Sequence, residues 1–183
     1  IADGSTFATY TDTYGLSQMG ASYNGFTAPG FTGTDITAAT VATGNYNDGS
    51  TTTPRTISGA HAAYSWRVAN SSNAVTFNIA TASPITLGVG LISNSNQTNT
   101  FQGADSTSSI TTAGGADLFL YINQGTVNFY TKLTGNMNVI RSGGGTFGFG
   151  SATAAANNDY TGKTYLMGGT TNLSASGNWT MIP

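Results

Sequence analysis

The chain has 183 residues, 38% hydrophobic and only 7% charged, with a formal net charge of −2, 25 Gly, no Cys and no Glu. That apolar share suffices for the core of one domain, whereas five Lys and Arg are too few to neutralise a row of phosphates, which argues against nucleic acid as a partner. The shortage of Glu, Lys and Arg also removes the residues that form and solvate amphipathic helices, so an almost entirely β chain is predicted, with Gly, Thr, Asn and Ser supplying turns and strand surfaces.

No apolar run approaches the ~18 residues a membrane-spanning helix needs, so no membrane insertion is expected. No Lys- or Arg-led apolar segment opens the chain as a signal peptide would, and a start at Ile1 points to a processed product or an excised fragment. Zero Cys leaves no disulfide framework in a composition that otherwise has an extracellular cast.

From Ile1 to about residue 60 the sequence is rich in Thr, Gly, Tyr and Asn, holds short apolar pieces such as DITAATVAT (35–43), and is interrupted by Pro29 and Pro54. Residues 1–60 read as an irregular N-terminal cap or a series of short strands. From residue 61 to 183, period-two alternation recurs between turn residues. Val75, Phe77 and Ile79 share one face; so do Ile85, Leu87, Val89 and Leu91. Leu118, Leu120 and Ile122 point one way, with Phe119 and Tyr121 opposite. Val127 with Phe129, Met137 with Val139, and Phe147 with Phe149 continue the series, and each run follows the last within roughly two to six residues.

Closely spaced short strands fit an antiparallel sandwich or a β-solenoid. A sandwich favours Asn-Gly or Asp-Gly hairpins, and these dipeptides occur only at Asp3-Gly4, Asn24-Gly25 and Asp48-Gly49, all before the alternating region. The breaks SNSNQTN, TAGGA and SGGG read as corners where a coil bends and continues. The expected fold is therefore all-β, a parallel β-helix (β-solenoid) in one structural domain.

The stretch NNDYTGKTYLMGGTTNLSASG (157–177) resembles the autotransporter-associated β-strand repeat. Tyr160, Thr161, Gly162, Thr164, Gly169, Thr170, Asn172 and Leu173 fall where that pattern places them, while Lys163 stands where Gly is commoner and YLM replaces a small aliphatic strand. Upstream, WRVANSSNAVTFNIATASPITLGVGLISNSNQTNTFQG is similar to the segment that precedes the repeat, and DLFLYINQGTVNFYTKLTG to a further rung. The resemblance implies a right-handed parallel β-helix from a bacterial surface or secreted protein, hence an extracellular or cell-surface location. The translocating barrel of complete autotransporters is absent from these 183 residues.

In a β-helix each coil pairs with its neighbours, so the hazard lies at the ends of the stack, where a bare rung can pair with another chain. The closing GNWTMIP places Trp179, Met181 and Ile182 there, either as the last strand of a rung or as a surface for self-association, with copies of the chain meeting end to end in filaments or arrays.

Chemistry is sparsely provided. His61 is the sole histidine, too little for a metal site without Cys, and the one base a Ser-His-Asp triad could use. Asp3, Asp12, Asp35, Asp48, Asp105, Asp117 and Asp159 are scattered among turn residues, and Arg67, Arg141, Lys132 and Lys163 are not clustered as in a polysaccharide-processing enzyme. Gly143, Gly145 and Gly148 have G-x-G-x-x-G spacing, but the sequence runs on into FGFGS, a strand and not a helix. GGAD (114–117) matches half of a calcium-binding repeat that does not recur. No catalytic, metal or cofactor site is predicted.

Tyr121, Tyr130, Tyr160 and Tyr165, with Phe119, form the one candidate recognition stripe, suited to weak binding of surface glycans if it faces outward and to stacking between rungs otherwise. Asn70, Asn96, Asn172 and Asn178 stand in N-x-[ST] sequons. The expectation is a non-catalytic extracellular structural protein, with an adhesin or glycan-binding module as the alternative.

Overall fold

Segments that alternate apolar with small polar residues have one face to bury. This chain buries it by laying each segment on the one from the previous turn. The computed structural model describes residues 8–11, 15–18, 22–23, 26–27, 31–38, 40–49, 53–151, 157–175 and 182–183. Two short antiparallel hairpins come first: β1 (Ala8–Thr11) with β2 (Gly15–Gln18), and β3 (Ser22–Tyr23) with β4 (Phe26–Thr27). The strands that follow are β5 (Asn45–Asp48), β6 (Arg55–Ile57), β7 (His61–Val68), β8 (Val75–Ile79), β9 (Pro84–Ser93), β10 (Thr98–Gly103) and β11 (Ser109–Thr112). After a 3-10 turn at Ala113–Gly115 come β12 (Leu118–Ile122), β13 (Thr126–Tyr130), β14 (Lys132–Leu133), β15 (Val139–Ser142), β16 (Thr146–Ser151), β17 (Thr164–Met167) and β18 (Thr170–Ala175).

From β5 onward every ladder is parallel. One sheet runs β6–β8–β10–β13–β16–β18. The other runs β5–β7–β9 and then divides, the first half of β9 pairing with β11 and through it β14, the second half with β12, β15 and β17. The result is a β-solenoid of about five turns, as the alternation and corner residues predict. Among the described residues no helix is long and apolar enough to cross a membrane.

Two sequence expectations are corrected. The solenoid begins at Asn45 and not at residue 61, because β5 pairs in parallel with β7, and β6 with β8. These first strands are too polar to announce themselves: each buries few apolar side chains, Tyr46 in β5 and Ile57 in β6. Val89 does not join the core with Ile85, Leu87 and Leu91. Gly88 and Gly90 flank it where β9 changes partner, and the pairing with β7 shifts register between Ala63 and Ser65.

The core is built as columns along the stack. Phe77, Phe101, Phe129 and Phe149 occupy one register position in β8, β10, β13 and β16. Phe77 and Phe101 stack at 5.1 Å between centroids, Phe101 and Phe129 at 4.8 Å, and Trp66 meets both Phe77 and Phe101 edge-on at 5.0 Å. The strand spacing of ~4.8 Å is itself close to a stacking distance, so identical aromatic residues in register satisfy the ladder and the rings together.

The neighbouring column, Val75–Asn99–Val127–Phe147, contains one discordant residue. Asn99 is fully buried, and neither side-chain amide atom has a hydrogen-bond partner. Because a buried amide without partners costs about 1–3 kcal/mol and its ladder neighbours are valines, Asn99→Val is expected to raise stability by about that amount. A lower urea midpoint for the variant would contradict this.

Candidate functional site

The two ends of the solenoid are unlike. At the N-terminal end, residues 31–38 fold over β5 of the first rung: Thr32 N donates to Asn45 O at 2.6 Å, Asn47 N to Gly33 O at 2.9 Å, and Ile36 is fully buried in the core. Arg55, at the head of the phenylalanine column, lies 5.8 Å from the Phe77 ring centroid and bridges Asp48 and Asp35 with its two terminal nitrogens. Burial pushes the Asp35 carboxyl up, but hydrogen bonds from the Thr37 side chain and backbone and the Arg55 charge outweigh it and hold the group below the ordinary carboxylate value.

Among the described residues the C-terminal end is open. Leu166 continues the inward column Leu120–Arg141, and Leu173 continues Phe129–Phe149, so both stand at core positions. Yet they are 48% and 53% exposed, because among the described residues β17 and β18 have no strand on their far side. Just beneath them, Arg141 is wholly buried. Its terminal nitrogens donate to the carbonyls of Gly143 and Gly145, its Nε has no partner, and desolvation lowers its pKa. Gly169 sits against the guanidinium, where a Cβ would strike both terminal nitrogens. Of the residues expected to mediate self-association, Ile182 is partly exposed, and Trp179 and Met181 lie outside the described residues.

The predicted aromatic stripe is divided. Phe119, Tyr121 and Tyr165 share the outer face of the divided sheet, with Phe119 and Tyr165 in one register column either side of Ile140. Tyr130 is on β13, in the other sheet, opposite Gln102. Tyr160 is a correction: it is 1% exposed, part of the core, with its hydroxyl on Thr164 Oγ1, and burial raises its pKa. It precedes β17 in an irregular segment, so strand parity does not govern which way it points. Tyr64 completes the outer face and was not singled out in the sequence, because it sits where the β7–β9 register slips and alternation fails.

Most of the polar residues singled out in the sequence have structural partners; Asp3 and Asp12 lie outside the described residues. His61 is buried, with Nε2 3.3 Å from Ser58 O and Nδ1 3.5 Å from Thr40 Oγ1. Lys132 pairs with Asp159 at 2.6 Å, Asn138 donates to Asp117 at 2.7 Å, and Asp105 accepts from the backbone and hydroxyl of Thr107. Arg67 donates to Asn47 at 2.8 Å. Among the described residues no group of three or more His, Asp or other acidic ligands converges. The glycines at 143, 145 and 148 lie at the corner between β15 and β16 and in β16 itself, not at a helix start. Asn70 is buried with its amide donating to Asn73 O at 2.5 Å.

The Arg55–Asp48–Asp35 cluster and the burial of Arg141 escaped the sequence reading. A signal existed for Arg141, which shares strand parity with the inward Val139. No family model matches this chain, and no curated protein or solved structure does either. The likeness to the autotransporter repeat rests on the residues that carry it.

Proposed function

We propose that this chain is a non-catalytic structural module of an extracellular or cell-surface protein, and that it works by adding β-rungs to its open C-terminal end. The observation that carries the reading is the exposure of Leu166 and Leu173 at core positions of the last rung. A bare parallel rung presents backbone donors and acceptors and apolar side chains together, the combination that recruits another β-edge.

The occupant in this proposal is a second copy. Among the described residues the first rung is different: Gly33 pairs with Tyr46 on β5, Arg55 on β6 is tied to Asp35 and Asp48, and the core side chains Tyr46 and Ile57 are buried, so it presents no exposed core leucines to match. That asymmetry favours two copies meeting through their C-terminal rungs, an isologous contact that closes at a dimer, over the end-to-end filaments expected from sequence. Sedimentation velocity over a concentration series is expected to show a monomer–dimer equilibrium, abolished by Leu166→Asp with Leu173→Asp. Strictly monomeric behaviour at the highest concentrations would overturn self-association, and unlimited polymers would show that the N-terminal end is also used.

A further inference from the structure

The outer face of the divided sheet carries a pattern separate from its ends. Following that sheet along the stack, β7 presents Tyr64, β12 presents Phe119 and β17 presents Tyr165. Their exposures are nearly equal, at 48%, 47% and 44%. The intervening strands present no ring: β9 offers Gly88 and Gly90, and β15 offers Ile140. Aromatic side chains therefore recur on every second rung, roughly 9–10 Å apart at the ~4.8 Å spacing of parallel strands.

The glycines matter to this surface. A Cβ at Gly88 would strike the Tyr64 ring and backbone, and one at Gly90, where φ is +155°, would strike the Phe119 carbonyl. Bare backbone thus keeps the strip low between the first two rings. Its chemistry is sparsely charged as well: the outward positions of β12, β15 and β17 are Phe119, Tyr121, Ile140, Ser142, Tyr165 and Met167, and β7 adds one guanidinium, Arg67, half-buried and bonded to Asn47.

We propose that this face is a binding track for an extended, neutral, β-linked polysaccharide of the cellulose or chitin kind, lying along the solenoid axis. In such a ribbon the disaccharide is the repeating unit, with a length close to the two-rung spacing, so every second sugar meets a ring. The apolar faces of the sugars stack on Tyr64, Phe119 and Tyr165, and a track without carboxylates, whose one guanidinium is already bonded to Asn47, offers little to a charged glycan. A second copy of the chain is the competing occupant, but nothing in a flat β-face requires its aromatics to fall on alternate rungs, whereas a disaccharide repeat does.

The test is depletion of the full chain from solution by microcrystalline cellulose and by chitin, with soluble oligosaccharides of each as competitors. The wild type is expected to bind at least one solid. Phe119→Ala should weaken retention several-fold, Phe119→Trp should preserve it, and the combined Tyr64→Ala, Phe119→Ala, Tyr165→Ala variant should lose it. All three side chains project outward, so the variants should keep the wild-type far-UV spectrum and melting temperature. Wild-type chain that stays in solution with both solids, or a triple variant that binds as well as wild type, would overturn the proposal. So would a triple variant whose only change is lost self-association, which would give the face to a second copy.

Discussion

Phe101→Ala is expected to destabilise the solenoid by about 3–5 kcal/mol, the range for removing a fully buried phenylalanine. Phe101 is 0% exposed and lies at the centre of the aromatic column, stacked on Phe77 and Phe129 and met edge-on by Trp66. Its removal opens a cavity that cannot close, because the rungs on either side are held at strand spacing by their ladders. The measurement is urea unfolding followed by far-UV circular dichroism, with Phe119→Ala as the control. Phe119 lies one rung further along but points outward, and its loss is expected to change stability by about 0.5 kcal/mol or less. Similar effects at the two positions would refute the assignment of faces.

Arg55→Met is expected to cost a comparable amount, about 3–5 kcal/mol, for a different reason. The carboxylate of Asp48 is buried with its side chain 0% exposed, and the substitution takes away the guanidinium that balances it. Pairing Arg55→Met with Asp48→Asn should recover much of the loss, and a double variant no better than the single one would refute the ion pair's role. The acid limb of the stability curve should change as well. The Asp35 carboxyl is held below its ordinary value in the folded chain, so its contribution is fully present above about pH 4 and is lost as pH falls through the depressed value. Without Arg55 that loss shrinks.

The solenoid was legible because its inward columns are written in strand parity. Val75, Phe77 and Ile79, and Leu118, Leu120 and Ile122, declare both strand and face before any coordinates are known. The period of the rungs was not legible. Partner residues are 20 apart where Thr126 faces Thr146 and 29 apart where Gly90 faces Phe119, so no fixed repeat length runs through the sequence. The corners absorb the difference, as the 3-10 turn at Ala113–Gly115 does.

The surfaces were legible only in part, and the reason is the same. Phe119, Tyr121 and Tyr165 could be placed on one side of their strands, but which strands lie side by side depends on rung length. Tyr130 was therefore grouped with residues of another sheet, and Tyr64 was passed over. Ionic contacts such as Arg55 with Asp35 join residues 20 apart in a polar stretch, where no apolar periodicity reports them.

The contrast between a covered first rung and a bare last one also gives the molecule a mechanical polarity. Each rung is held chiefly by its two neighbours, so tension applied at residue 175 loads a rung that, among the described residues, is anchored on one side only. β18 and β17 should peel first, and each departure exposes the next rung to the same load, a sequence of small steps instead of one rupture. Pulled from the other terminus, the chain must break the Arg55–Asp35 pair and extract Ile36 from the core before the β5–β7 ladder is loaded. In a fibre or surface layer built from such units, each unit would yield from its C-terminal rungs first, whichever end of the fibre is pulled.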